Sequence, residues 1–214
     1  MKSIIMLGDS ITFGRGAKSE LCWANKLKKL IEKKKYHSGF NLGIPGDTST
    51  GLQKRIETEL KARASYNWPR DWHTIIIAIG INDTRGIETP NNIETKTTKF
   101  SSNINKIIKT AKKYSNRIMI VGLTPVDEKL TKPYENTFFT NKKIKEYNEI
   151  IKKVAKQERV PFVNLVDKIN PKKETTDGLH PNKKGYTKMF KEIKNALNKH
   201  NLLKEDYEKT KSYA

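Results

Sequence analysis

Residues 4–12 read Ile4-Ile5-Met6-Leu7-Gly8-Asp9-Ser10-Ile11-Thr12, an apolar run that ends abruptly in Gly-Asp-Ser. The run predicts a buried β-strand that leads into a helix, with Ser10 at the turn between them. In an open parallel sheet, ligands bind at the carboxyl ends of the strands, and a serine there lies beside the unpaired N–H groups of the following helix. Ser10 is therefore a candidate nucleophile, although on this stretch alone Asp9 and Ser10 are more typical of a helix cap.

The rest of the chain repeats this alternation of apolar strands and amphipathic helices. Residues 74–79 give the clearest central strand, residues 118–123 and 160–165 predict two more, and the shorter apolar run in 39–49 ends in a glycine-containing turn. Apolar residues at helical spacing predict helices within residues 23–35, 52–60, 100–111, 144–154 and 186–197. Five strands that alternate with helices imply an α/β fold whose mostly parallel sheet is covered on both faces.

The length of 214 residues suffices for one α/β domain, and no linker or internal repeat divides the chain. We expect a single domain over residues 1–200 and a frayed tail over residues 201–214. The lone Cys22 excludes an internal disulfide and a multi-cysteine metal site, and it suits a reducing compartment. Since no apolar run approaches about 18 residues and no removable leader precedes the first strand, the sequence predicts a cytoplasmic protein without a membrane span.

Charge is the most unusual feature of the composition, since the net charge is +20 and the pI is near 9.8. Such a charge would ordinarily indicate an anionic partner such as nucleic acid or an acidic membrane. The lysines, however, occur on nearly every predicted helix and do not form one stripe interleaved with aromatic residues. The sequence therefore favours a solvated lysine-rich surface over a specific nucleic-acid site.

Acyl transfer on a serine needs a base, a group that orients the base, and donors aimed at the developing oxyanion. Of the four histidines, His37 and His73 directly precede strands and so belong at the opposite, amino edge of the sheet, and His200 begins the tail. His180 follows the fifth strand and can reach the carboxyl edge, while Asp177, three residues earlier, can orient its ring. The alternative is an ordinary turn and helix cap within Asp177-Gly178-Leu179-His180-Pro181-Asn182.

Two further residues are candidate oxyanion donors at the same edge. Asn82 follows the central strand, and its side-chain NH₂ can donate to an anion, although asparagine is also a common turn former. Gly46 offers a backbone N–H on a loop that a ligand can approach closely. Combined with Ser10, these residues predict a catalytic constellation where several strands end.

Four segments resemble, in order and over nearly the whole domain, the sequence blocks of the SGNH, or GDSL-type, hydrolases: Gly8-Asp9-Ser10, residues 41–49 around Gly46, Gly80-Ile81-Asn82-Asp83 and Asp177-Gly178-Leu179-His180-Pro181. The resemblance implies a three-layer α/β/α, flavodoxin-like fold with a five-stranded parallel sheet of order 2-1-3-4-5, and no metal or other cofactor. It also implies Ser10 as nucleophile, His180 as base and Asp177 as its orienting group. The oxyanion hole would comprise the Ser10 N–H, the Gly46 N–H and the Asn82 side chain.

The sequence departs from the family's pattern at Ile11 and Ile81, where many members have Leu and Gly. Both side chains flank the proposed chemistry, so we expect them to tune packing. Asp9, Asp47 and Asp83 are interpreted as cap and loop carboxylates, not as acid–base groups.

The sequence as a whole predicts a serine hydrolase that cleaves a small-molecule carboxylic ester through an acyl-enzyme on Ser10. The alternatives are an acyltransferase that uses the same acyl-enzyme and a catalytically silent, basic binding module on this scaffold.

A short acyl group is expected, because the long segment 124–140 interrupts its apolar residues with charged ones and so suits a small pocket. Trp23, Phe138 and Phe139 are candidates for lining that pocket or, more commonly, for the core. The oligomeric state is open.

Overall fold

The computed structural model describes residues 2–64 and 69–203. Its strands are β1 (Lys2–Gly8), β2 (His37–Gly43), β3 (His73–Ala78), β4 (Gly86–Ile87), β5 (Arg117–Val121), β6 (Thr137–Phe138) and β7 (Phe162–Val163). Its α-helices are α1 (Ser10–Phe13), α2 (Trp23–Glu32), α3 (Ser49–Lys61), α4 (Thr97–Tyr114), α5 (Asn141–Gln157), α6 (Pro171–Glu174) and α7 (Lys183–Lys199). Short 3₁₀ helices lie at Ser19–Leu21, Arg70–Trp72 and Asn82–Thr84.

The central sheet has five parallel strands in the order β2-β1-β3-β5-β7. Counted within this sheet the order is 2-1-3-4-5, so the predicted α/β fold and its topology are confirmed. β1 and β3 are continuous apolar runs, which favours inner positions where helices cover both faces of the sheet. Ile75, Ile76 and Ile77 of β3 are fully inaccessible to solvent. Helices α2 and α7 pack together, α3 packs on α4 and α4 on α5, and the helices thereby cover both faces.

The register of the central strands brings three strand ends to one edge. Gly8 at the end of β1 pairs with Gly43 at the end of β2 on one side and with Ala78 at the end of β3 on the other. Residues that directly follow these strands therefore start from neighbouring points, which is the geometry that the site requires.

Local differences from the sequence prediction have simple causes. The helix after β1 is a single turn, because Gly14 ends it in the left-handed conformation with φ of 114°; the long helix that follows begins at Trp23, as the sequence predicts. The last sheet strand, β7, is shorter than the predicted 160–165, since it lies at the edge and is preceded by Pro161, which has no N–H to donate to a neighbouring strand. A small antiparallel pair, β4 with β6, was not predicted.

The last described residues of the chain contact the central sheet. Leu202 is buried, and its carbonyl accepts a hydrogen bond of 2.7 Å from the Thr74 hydroxyl near the start of β3. The rest of the predicted frayed tail, residues 204–214, lies outside the described residues, so the tail stays a prediction there. Within residues 2–64 and 69–203, no helix is long and apolar enough to cross a membrane.

Candidate active site

Ser10 is the first residue of α1 and follows the end of β1 by two positions. Asp9 caps this helix, because its carboxylate accepts the Ile11 amide at 2.9 Å. The turn is tight enough to require glycine at position 8, where a side chain would collide with Thr12 and with the Ala78 carbonyl. The capping role and the candidate-nucleophile role therefore fall on adjacent residues, Asp9 and Ser10.

The structure brings the distant pair Asp177 and His180 to this serine. The Ser10 hydroxyl lies 3.0 Å from His180 Nε2, and His180 Nδ1 lies 2.7 Å from Asp177 Oδ2. Ser10 and His180 are each only 4% exposed, so the hydrogen bond that joins them is shielded from water. The three residues form one continuous chain of hydrogen bonds, as the sequence predicts.

The other oxygen of Asp177 is held by the turn itself. Oδ1 accepts the amides of Leu179 at 3.1 Å and His180 at 2.7 Å, and Gly178 makes the turn possible with φ of 85°. Partial burial alone would raise the pKa of the Asp177 carboxyl, but the hydrogen bonds from the His180 ring and from these amides outweigh it and hold the pKa well below its usual range. Asp177 is therefore a carboxylate near neutral pH.

Two of the remaining histidines lie at the opposite edge of the sheet. The strand register pairs His37 with Lys2 and His73 with Ser3, at the amino ends of β2 and β3. His200 follows the last residue of α7 as its C-cap. The position of His180 beside Ser10 agrees with the choice made from the sequence.

The two predicted oxyanion donors come from neighbouring loops. Asn82 is 5% exposed in the 3₁₀ turn that follows β3, and its Nδ2 donates to the Asp47 carbonyl at 2.8 Å. Gly46, the neighbour of Asp47, has φ of 80° and no atom within 4 Å of the place where a Cβ would be, so the space beside its Cα is open. A side-chain amide carries two N–H groups, and the Asp47 bond uses one of them.

The loop that carries Gly46 is held in place by Arg55 of α3, a residue outside the four motifs. Arg55 Nε donates to the Asp47 carboxylate at 2.9 Å, and its Nη2 donates to the carbonyls of Gly8 and Leu42 at 3.0 Å each. One guanidinium thus ties the loop to the ends of β1 and β2. No sequence pattern distinguishes Arg55, because arginine is common at partly exposed helix positions such as this one beside the buried Ile56.

The aspartates of the motifs cap helices and hold loops in place. Asp83 accepts the Ser49 amide at 2.8 Å and the Ser49 hydroxyl at 2.6 Å, which holds the start of α3. Burial raises the pKa of Asp9 to about 7 in spite of its bond from Ile11. Asp47 pairs with Arg55. These contacts agree with the prediction that Asp9, Asp47 and Asp83 serve as cap and loop carboxylates.

The segment 124–140 packs against the turn that carries Asp177. The Asp127 amide donates to the Gly178 carbonyl at 2.8 Å, and the Tyr134 hydroxyl donates to Asp177 Oδ2 at 2.9 Å. In the sequence, Tyr134 is only one of the apolar residues of this segment. No local pattern could have identified the contact, since 43 residues separate the two side chains.

The aromatic pocket candidates are mostly core residues. Trp23 is fully buried and Phe139 is 2% exposed, so both belong to the hydrophobic core and do not line a pocket. Phe138 is half-buried in β6. Large apolar side chains that remain exposed include Phe13, three residues after Ser10, and Ile44, two residues before Gly46.

A hydroxyl, an imidazole and a carboxylate in hydrogen-bonded series define the class of serine hydrolases with a Ser-His-Asp arrangement. The model of the GDSL-like lipase/acylhydrolase family matches residues 6–188 of this sequence, which is most of the chain. The chain belongs to the GDSL-like lipase/acylhydrolase family, and its enzyme class is that of a serine esterase.

Solved structures share the fold at low sequence identity. A lipase/acylhydrolase from Enterococcus faecalis is 20% identical, with a TM-score of 0.73 over 94% of this chain and 97% of that one. The esterase EstA from Pseudoalteromonas sp., inhibited by monoethylphosphonate, is 18% identical, with a TM-score of 0.69 over 93% and 98%. A catalytic mutant of the acetylxylan esterase Axe2 from Geobacillus stearothermophilus is 16% identical, with a TM-score of 0.71 over 92% and 94%. None of the curated protein sequences matches this chain.

Proposed function

We propose that this protein hydrolyses small-molecule carboxylic esters with short acyl groups through an acyl-enzyme on Ser10. The observation that carries the proposal is the hydrogen-bonded series from Ser10 through His180 to Asp177. A buried hydroxyl beside an imidazole, which is in turn held by a carboxylate, is the arrangement that activates a serine for attack.

The reaction proceeds in two halves. Ser10 Oγ attacks the ester carbonyl carbon while His180 Nε2 takes its proton, and the imidazolium then returns that proton to the departing alcohol as the C–O bond breaks. Water next attacks the acyl carbon while His180 takes its proton. The imidazolium returns this proton to Ser10 Oγ as the bond from Oγ to the acyl carbon breaks, which releases the acid and restores the serine. Asp177 stabilises the imidazolium in both halves and is not itself protonated.

Three donors are assigned to the oxyanion that forms in each half. Ser10 is the first residue of α1, so its N–H has no carbonyl partner within that helix. The Gly46 N–H and the second N–H of Asn82 complete the set, and the Arg55 and Asp83 contacts hold their loops before substrate arrives.

Asn82→Ala is expected to lower kcat by about 10²–10³-fold with little change in KM, because one oxyanion donor acts mainly on the transition state. The same variant loses the bond to the Asp47 carbonyl, so its melting temperature is measured beside its kinetics. Asn105→Ala, which removes a surface bond to Glu158, is the matched control. A drop in melting temperature with normal kcat would assign Asn82 a purely structural role.

The expected preference for short acyl groups is based on where the apolar side chains of segment 124–140 lie. Phe139 is buried in the core, and Tyr134 is engaged with Asp177, so neither is available to line a long acyl channel. The remainder of the segment is rich in charge. The acetylxylan esterase among the structural relatives fits this preference, since acetyl is a short acyl group.

A panel of p-nitrophenyl esters tests both the activity and the acyl preference. kcat/KM is expected to peak at about two to four acyl carbons, whereas a long channel would add up to ~0.8 kcal/mol per methylene. The panel is run below micelle-forming substrate concentrations, with an added acceptor alcohol in a parallel arm. A rise continuing to about ten carbons would contradict the acyl preference, and transfer to the alcohol in place of hydrolysis would identify an acyltransferase.

A further inference from the structure

Asp177 accepts a hydrogen bond from Tyr134, which lies outside the four family-like motifs. Its Oδ2 atom lies 2.7 Å from His180 Nδ1 and 2.9 Å from the Tyr134 hydroxyl. Its Oδ1 atom accepts only from the amides of Leu179 and His180, within the same turn, among the described residues. The Tyr134 bond therefore fixes the carboxylate relative to another part of the protein, while the other bonds fix it relative to its own turn.

The aromatic ring of Tyr134 is held in place on two sides. It packs edge-on against Phe139, with ring centroids 6.2 Å apart, and against the His180 ring, with centroids 6.1 Å apart. Phe139 is 2% exposed and belongs to the core. The ring thus connects the imidazole to the core, and its hydroxyl reaches Asp177 from that fixed position.

The backbone around Tyr134 is equally constrained. Its amide donates to the Thr137 carbonyl at 2.7 Å, and its own carbonyl accepts the Thr137 amide at 3.0 Å. Thr137 begins β6, which pairs with β4, and β4 starts four residues after Asn82. The Tyr134 segment is therefore joined by backbone hydrogen bonds to the segment that carries the proposed oxyanion donor.

Tyr134 also covers a side of Asp177 that the turn leaves open. The Asp177 side chain is 34% exposed even with the tyrosine present. Without the hydroxyl, Oδ2 would hydrogen-bond to water, which does not fix the orientation of the carboxylate. Burial, together with the adjacent Asp177, raises the pKa of Tyr134 to about 12, so the hydroxyl remains a donor under assay conditions.

We propose that Tyr134 is a positioning residue for this enzyme, which acts by holding Oδ2 of Asp177 in line with Nδ1 of His180. The inference rests on the proposed function, because it assigns Asp177 and His180 their roles in acyl transfer. Tyr134 itself neither forms a bond to the substrate nor transfers a proton. It reduces the freedom of the carboxylate to turn away as the imidazolium forms, so its contribution appears in the rate of chemistry and not in substrate binding.

Tyr134→Phe is the direct test, because it removes the hydroxyl and keeps the ring between Phe139 and His180. We expect kcat to fall about tenfold, with KM unchanged within about twofold. Tyr147→Phe is the matched control: Tyr147 is buried, and its hydroxyl donates to the Thr95 carbonyl away from Asp177. This control is expected to lower the melting temperature while kcat stays within about twofold of wild type.

A double-mutant cycle separates positioning from a general loss of structure. Tyr134→Phe is combined with Asp177→Asn, and residual activity is followed by the rate of fluorophosphonate labelling of Ser10. If Tyr134 acts through the carboxylate, its removal changes the labelling rate by no more than about twofold in the Asp177→Asn background. An equal loss in both backgrounds would overturn the proposal.

Two further outcomes would also overturn it. A kcat of Tyr134→Phe within about twofold of wild type shows that the hydroxyl is dispensable, and a change confined to KM shows that Tyr134 contacts substrate instead. Either result, obtained with normal wild-type turnover, leaves the proposed function intact. A wild-type protein that neither hydrolyses esters nor labels at Ser10 overturns the proposed function, and this proposal with it.

Discussion

Ser10→Ala is expected to lower kcat for ester hydrolysis by about 10⁴–10⁶-fold. The reason is that the change removes the atom that forms the acyl-enzyme, and the described structure holds no second hydroxyl hydrogen-bonded to His180. The fold should survive, because the lost hydrogen bond contributes about 1 kcal/mol and the turn is maintained by Asp9 and Gly8. Turnover and melting temperature are measured on the same preparation.

Labelling gives the Ser10 prediction a second readout. A fluorophosphonate should add once to the wild-type chain, as detected by intact mass, and should not add to Ser10→Ala. Ser102→Ala on α4 is the matched control, since Ser102 is exposed on a helix surface and should leave both readouts unchanged. Purified Ser10→Ala that keeps more than about a tenth of wild-type turnover would exclude the acyl-enzyme mechanism.

The fold could be predicted from the sequence because its inner strands have strong local signals. The apolar runs of β1 and β3 favour buried positions in the middle of a parallel sheet, whereas the strand order came from the resemblance of four segments to the SGNH hydrolases. β2 carries a weaker local signal, since its apolar run is short: only Gly39 is buried, and Phe40 and Leu42 are partly exposed. Edge strands bury less surface, so their sequences carry less information about their limits.

The grouping of the candidate site residues at one sheet edge could also be predicted, because each candidate lies downstream of a strand end. The position of Ser10 two residues after β1, and of Asn82 after β3, follows from chain connectivity. His180 was selected because two other histidines directly precede strands, a placement that the register supports. Both placements depend only on the direction of the strands, not on the packing of side chains.

The supporting contacts could not be predicted, because they join residues that lie far apart in the chain. Arg55 resembles any exposed helix arginine until its bonds to Gly8 and Leu42 are seen. Tyr134 lies in a segment of mixed charge whose β6 strand is only two residues long. Such contacts depend on tertiary packing and leave no periodic pattern.

The hydrogen bonds around Asp177 determine what an asparagine would do in its place. Its oxygen would have to remain at the Oδ1 position, where it accepts the amides of Leu179 and His180. Its NH₂ group would then replace Oδ2 and face His180 Nδ1. Because NH₂ only donates, Nδ1 must become the acceptor, and the ring proton moves to Nε2.

Asp177→Asn is accordingly expected to lower kcat by about 10⁴-fold, because an Nε2 that already carries a proton cannot accept the one from Ser10. The loss of charge beside the forming imidazolium acts in the same direction. Asp127→Asn is the matched control, since it makes the same chemical change in the adjacent segment, where the carboxylate bonds only to its own loop among the described residues. kcat and melting temperature are compared for both variants. Asp177→Asn with more than about a tenth of wild-type kcat would show that another group orients His180.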